Sequence, residues 1–111
     1  MNAYEIPSLR FSMPAGGAVA RHRFVAVDAN GNGIQAIATS NIIGASMNQT
    51  KSGEVLEIAD GIVMVEAAKA VTAGTLAYAD ADGKVTDAGT VVAGSAITSA
   101  VAGGLAAVKI N

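Results

Sequence analysis

Few side chains in this 111-residue sequence could do chemistry, and none sits in a constellation that would. The single histidine, His22, lies within Arg21-His22-Arg23, where two adjacent cations suit it poorly to accept a proton or to hold a metal cation. A serine nucleophile would need a sharp elbow of the G-x-S-x-G type, and that pattern is absent. The lack of cysteine excludes thiol catalysis, thiolate zinc sites and disulfides. Asp80 and Asp82 form a carboxylate pair, but Asp80-Ala81-Asp82-Gly83 has the composition of a tight turn, whose backbone such side chains commonly cap. No glycine-rich phosphate loop of either common type occurs. Calcium is the sharpest chemical possibility, because Asp28-Ala29-Asn30-Gly31-Asn32-Gly33 followed by Ile34 matches the first half of an EF-hand loop. The match ends there: Thr39 stands where a bidentate glutamate is needed, and neither flank has helical periodicity. The segment reads as a hairpin turn, and the chain is expected to have no catalytic, cofactor or metal site.

Composition points the same way. A net charge of -2, a pI near 5.1 and 14% charged residues leave no electrostatic footprint for nucleic acid. Hydrophobic residues make up 51%, but they are chiefly Ala and Val, with Tyr4, Phe11, Phe24 and Tyr78 the only aromatics. Small side chains bury less area each, at about 25 cal/mol per Å², so the core is thin and the subunit gains from oligomerisation. The stretch from Ala88 to Val108 is uncharged and long enough to cross a bilayer, yet its four glycines and its hydroxyl residues fit two strands and a turn better. No membrane partner is expected. The first residues have neither a basic nor a long apolar region of the secretory kind, which implies synthesis in the cytoplasm.

The elements that must position any functional surface are strands. Residues 1–14 hold both prolines and two of the four aromatics. Tyr4 and Ile6, then Leu9, Phe11 and Met13, recur at two-residue spacing, as in an extended arm or an ordinary first strand. Residues 15–111 read as a single β-domain. Arg23–Asp28 and Ile34–Thr39 flank Asn30-Gly31-Asn32-Gly33, a hairpin signal, and Ile42–Ser46 follows as a short strand. Glu54–Ala67 alternates on both sides of Asp60-Gly61, which marks either a hairpin or a bent single strand. Leu76–Tyr78 and Lys84–Thr86 flank a second hairpin turn, and Leu105–Ile110 closes the chain as a strand. A faint echo links Val71–Leu76, Val91–Ala96 and Ala100–Leu105, each read as a turn feeding a strand, but the spacing is uneven. Seven or more short strands with turns between them define an all-β fold, a small barrel or sandwich.

One resemblance emerges from these turns. Ile43-Gly44-Ala45, Gly53-Glu54-Val55, Gly61-Ile62-Val63, Ala73-Gly74-Thr75-Leu76-Ala77-Tyr78, Asp82-Gly83-Lys84-Val85, Ala93-Gly94-Ser95-Ala96 and Gly103-Gly104-Leu105-Ala106-Ala107-Val108-Lys109-Ile110 resemble the capsid decoration, or cement, family of tailed bacteriophages. The resemblance implies a small β-domain of β-tulip type, a homo-oligomer (a trimer or other cluster), on the outer surface of the expanded head. Its partner would be the major capsid protein. It also implies that Glu54–Val65 is one continuous strand. The expected contact residues are Tyr4, Ile6, Leu9, Arg10 and Phe11 of the arm, with Arg21 and Arg23 as a basic patch that meets an acidic face. The rival reading is a particle-displayed adhesin for glycans or host surfaces, for which Tyr78 and Phe24 are the aromatics available outside the arm.

Overall fold

The turns set the architecture, and two of them share one design. Asp28 accepts the N–H groups of Asn30 and Asn32 on Oδ1, both at 2.9 Å, and Asp80 accepts those of Asp82 and Lys84 at the same distance. Each carboxylate thereby caps a tight reversal whose glycine, Gly31 or Gly83, has a positive φ of 80° or 74°. The computed structural model describes residues 6–111, and Tyr4 lies outside them.

Nine strands follow in chain order among the described residues: β1 (Ile6–Pro14), β2 (Phe24–Val27), β3 (Gly33–Gln35), β4 (Gly44–Ser46), β5 (Val55–Glu66), β6 (Leu76–Ala79), β7 (Val85–Thr86), β8 (Val92–Ala96) and β9 (Leu105–Ile110). They form one curled antiparallel sheet in the order β3-β2-β4-β5-β9-β8-β6-β7, with β1 also paired to β5. The fold is all-β, and no helix occurs among the described residues. Both hairpins read from sequence are present, β2–β3 and β6–β7. The uncharged run resolves into β8, a turn and β9, and among the described residues no helix is long and apolar enough to cross a membrane.

At Asp60-Gly61 the chain bends without reversing. Gly61 takes φ 108°, its N–H donates to Asp60 Oδ1 at 2.8 Å, and β5 runs on through both residues. β5 pairs with β4 before the bend, with β9 after it, and with β1 through it, from Val55 to Ile62. Residues 6–14, an arm or a first strand by sequence, are β1, antiparallel to β5 with a register shift between Pro7 and Leu9.

The structure contains a repeat that the sequence echo does not mark. β2–β4 pairs Phe24 with Ala45, and β6–β8 pairs Leu76 with Ser95, a shift of 52 positions (24 to 76) on one strand and 50 (45 to 95) on the other. The same shifts carry Met13↔Leu56 onto Val65↔Ala106, Ala26↔Ile34 onto Tyr78↔Thr86, and Ser46↔Ile58 onto Ala96↔Val108. Even the isolated bridges repeat, Ala15↔Gly33 as Ala67↔Val85 and Val19↔Thr50 as Val71↔Ala100. The domain is therefore two copies of one unit, and β5 is the last strand of the first and the first strand of the second. Of the three echoing segments, two do feed strands, β6 and β9, whereas most of Val91–Ala96 is itself β8.

The core is as thin as its composition requires. The main cluster is mostly Ala and Val around Phe24, with Ile110 near its edge, and a smaller cluster gathers Val25, Leu56 and Ile58 under Phe11 and Met13 of β1. In β5, Leu56 and Ile58 are buried while Val55 and Glu57 are exposed, the two-residue alternation of a half-buried strand.

Candidate contact surfaces

Two basic residues predicted to form one patch have different surroundings. Arg21 is exposed, at the tip of the loop that precedes β2. Arg23 is drawn inward: its side chain is 15% exposed, with Nη2 donating to Glu66 Oε1 at 3.3 Å and Nη1 to the Asp82 carbonyl at 3.5 Å. Lys84 Nζ approaches the other oxygen of Glu66 at 3.2 Å. Glu66 thus ties the loop before β2 to the end of β5 and to the second hairpin. His22, between the arginines, has φ 60° and is the one non-glycine residue with positive φ among those described; Gly74 occupies the matching position in the second unit, with φ 88°.

The hydrogen bond from Lys84, then the hydrogen bond and charge of Arg23, hold the Glu66 carboxyl below its ordinary value of 4.5, against the opposing effect of partial desolvation. A folded value below the unfolded one contributes stability that is present above about 4.5 and is lost as pH falls through the folded value. Glu66→Gln is therefore expected to destabilise the protein by about 1 kcal/mol at neutral pH, a discounted figure because the carboxylate is 30% exposed. The deficit should shrink as both proteins are titrated below pH 4.5, and chemical denaturation across pH 3 to 7 measures it.

Of the residues predicted on the N-terminal segment, Ile6 pairs with Ile62 at the start of β1. Leu9 is 56% exposed and Arg10 is exposed, while Phe11 is half-buried against the smaller core cluster. The arm candidates within the described residues thus lie on one strand, with Phe11 fastening it and Leu9 and Arg10 exposed. Of the aromatics considered for sugar stacking, Phe24 is fully buried and Tyr78 half-buried.

Sequence reasoning missed a set of exposed apolar residues, Val55, Leu76 and Val101, which are 60%, 52% and 73% exposed. One signal was available for Val55, because Glu57 fixes the outward phase of β5 and Val55 shares it. Chemical groups are sparse by comparison. Among the described residues no three His, Asp or Glu side chains are grouped closely enough to hold a metal.

Small side chains, a continuous curled sheet and exposed aliphatic residues describe an all-β protein with surfaces better suited to contact than to chemistry. The chain belongs to the phage cement protein family, whose model matches residues 5–110. No curated protein matches it by sequence. Among solved structures it is similar to the head fiber gp8.5 N base of bacteriophage phi29, at 17% identity over 93% of each chain with a TM-score of 0.75. At that identity the likeness concerns the fold, and it agrees with the all-β single domain expected from sequence.

Proposed function

We propose that the protein is a non-enzymatic cement subunit that binds the outer surface of an expanded phage head, contacts the major capsid protein, and stabilises the shell as a homo-oligomer. Membership of the cement family over residues 5–110 is the observation that carries this reading. A subunit that binds the expanded shell and not its precursor stabilises the expanded state by mass action. Linked copies need only modest individual contacts, because each bound contact raises the effective concentration of the next.

Leu9 and Arg10 on β1, with Arg21 on the loop before β2, are the outward members of the contact set. Tyr4 and Ile6 extend it along the N-terminal segment, and Phe11 and Arg23 hold the two surfaces in place. Deleting residues 2–13 would strip β1 from β5 and remove Phe11 and Met13 from the smaller core cluster, so point substitutions are the cleaner probe. The wild-type chain is expected to co-sediment with decoration-free expanded capsids at a fixed, saturable stoichiometry and to raise their melting temperature. Leu9→Asp combined with Arg10→Glu should abolish binding while leaving the free chain folded. Failure of the wild type to bind capsids, with hits in a glycan screen, would instead support the adhesin reading.

A further inference from the structure

Within the chain the two units share β5 and one core cluster, and the loop before β2 adds a further contact of the first unit on the second hairpin. Ala20–Phe24 turns through the left-handed backbone of His22, whose carbonyl accepts the Glu66 N–H at 2.9 Å, and delivers Phe24, whose N–H donates to the Gly83 carbonyl at 2.8 Å. Arg23 closes the contact on Glu66 and on the Asp82 carbonyl. Gly83 is covered by the first unit, since a β-carbon there would lie 3.0 Å from Gln35 Cγ and 3.2 Å from the carbonyl oxygens of Phe24 and Ala36.

The matching loop of the second unit, Thr72–Leu76, has no such seat. All five of its residues are exposed, and Leu76, in the position of Phe24, is 52% exposed where Phe24 is fully buried. The matching receiving surface of the first unit is largely open, with Asn32 half-buried. Pro14, Asn30 and Gly31 are exposed, and nothing lies within 4 Å of a β-carbon built on Gly31. The chain thus makes this contact once internally and leaves one half of a second such contact on each unit.

Charge has changed on both leftover halves together. The internal contact joins Arg23 to Glu66, with Asp82 and Lys84 beside them. In the leftover halves Thr75 replaces Arg23, while Pro14, Asn30 and Asn32 replace Glu66, Asp82 and Lys84. A charge kept on one side only would be desolvated without a partner, so two neutral surfaces fit each other.

We infer that a second copy of this chain docks head to tail on the first, with Thr72–Leu76 of one copy seated on Pro14 and Asn30–Asn32 of the next and Leu76 in the role of Phe24. The contact joins two different surfaces, so it generates rings where the rotation closes and filaments where it does not. It deepens the self-association in the proposed function and is independent of capsid binding.

The test is light scattering on the full chain. The wild type is expected to be an oligomer, and Leu76→Arg and Asn30→Arg are each expected to fall to the 10.9 kDa monomer. Each variant blocks a different half, so an equimolar mixture should return to twice the monomer mass and go no further. Both sites are exposed, and unchanged melting curves confirm folding. Should Leu76→Arg fail to fold, Leu76→Ser is expected to weaken association about tenfold through lost apolar burial. A monomeric wild type, a variant that keeps the wild-type mass, or a mixture that stays monomeric would overturn the inference. Capsid co-sedimentation, read separately, would leave the cement assignment standing in each of those cases.

Discussion

Gly94→Ala is expected to destabilise the protein by about 3 kcal/mol, at the upper end of what overpacking a tight core costs. A β-carbon at Gly94 would collide with the backbone carbonyl of Lys109 on β9, and backbone cannot swing aside as a flexible side chain can. The matching residue of the first unit is also glycine, and a β-carbon at Gly44 would lie 2.5 Å from the carbonyl oxygen of Ala59 on β5. The two strands cross at the same place in each unit, and at both places only a residue without a side chain fits. Gly44→Ala should therefore show a loss of the same order. Gly17, which has nothing within 4 Å of a built β-carbon, is the control, and Gly17→Ala should change stability by less than about 0.5 kcal/mol. Urea denaturation with a constant slope separates these outcomes, and a mild Gly94→Ala would show that β8 and β9 can separate without loss of pairing.

Phe24→Ala should cost about 4 kcal/mol, because it removes the largest side chain fully buried among the described residues from a core made mostly of Ala and Val, too small to close the gap. In a domain of this size, whose total stability is of order 5–15 kcal/mol, that loss removes a large fraction of the whole. Leu76→Ala, at the matching position of the second unit, should cost the free monomer little, since that side chain is half exposed. The pair makes a sharp contrast: one repeat position, two apolar residues, and opposite consequences set by what lies against them. Thermal melting of the two variants at low protein concentration reads it directly.

The fold class was legible because turn chemistry is local. Asn30-Gly31 and Asp82-Gly83 supply positive φ angles at fixed places, and the flanking residues alternate, so both hairpins follow from a few residues each. Asp60-Gly61 carries the same dipeptide and bends the chain without reversing it, because β1, β4 and β9 together hold β5 as one strand through it. That outcome depends on partners far away in sequence, and residues alone left it open between a hairpin and a bend.

The duplication was hidden for a related reason. Its two copies share identical residues mainly at turns and crossings, such as Val19 and Val71, Asp28 and Asp80, Gly31 and Gly83, Gly44 and Gly94, and Gly53 and Gly103. Elsewhere any small apolar residue serves an inward position, so backbone pairing is kept while identity is lost. The basic patch was half legible: Arg21 and Arg23 are two residues apart on an irregular loop, where periodicity does not tell which side faces inward. Only the position of Glu66 shows that Arg23 turns toward the protein.

The continuous β5 has a consequence for how the protein opens. Both units use this strand, so neither can separate from its neighbours without stripping hydrogen bonds from the other. The fluctuations that expose amides to solvent must then be global wherever β5 is paired on both edges, around Ala59 and Ile62, and local only at its ends and in the outlying hairpins. Hydrogen exchange would in that case report one cooperative body with its slowest amides at the midpoint of β5, although the chain was assembled from two units.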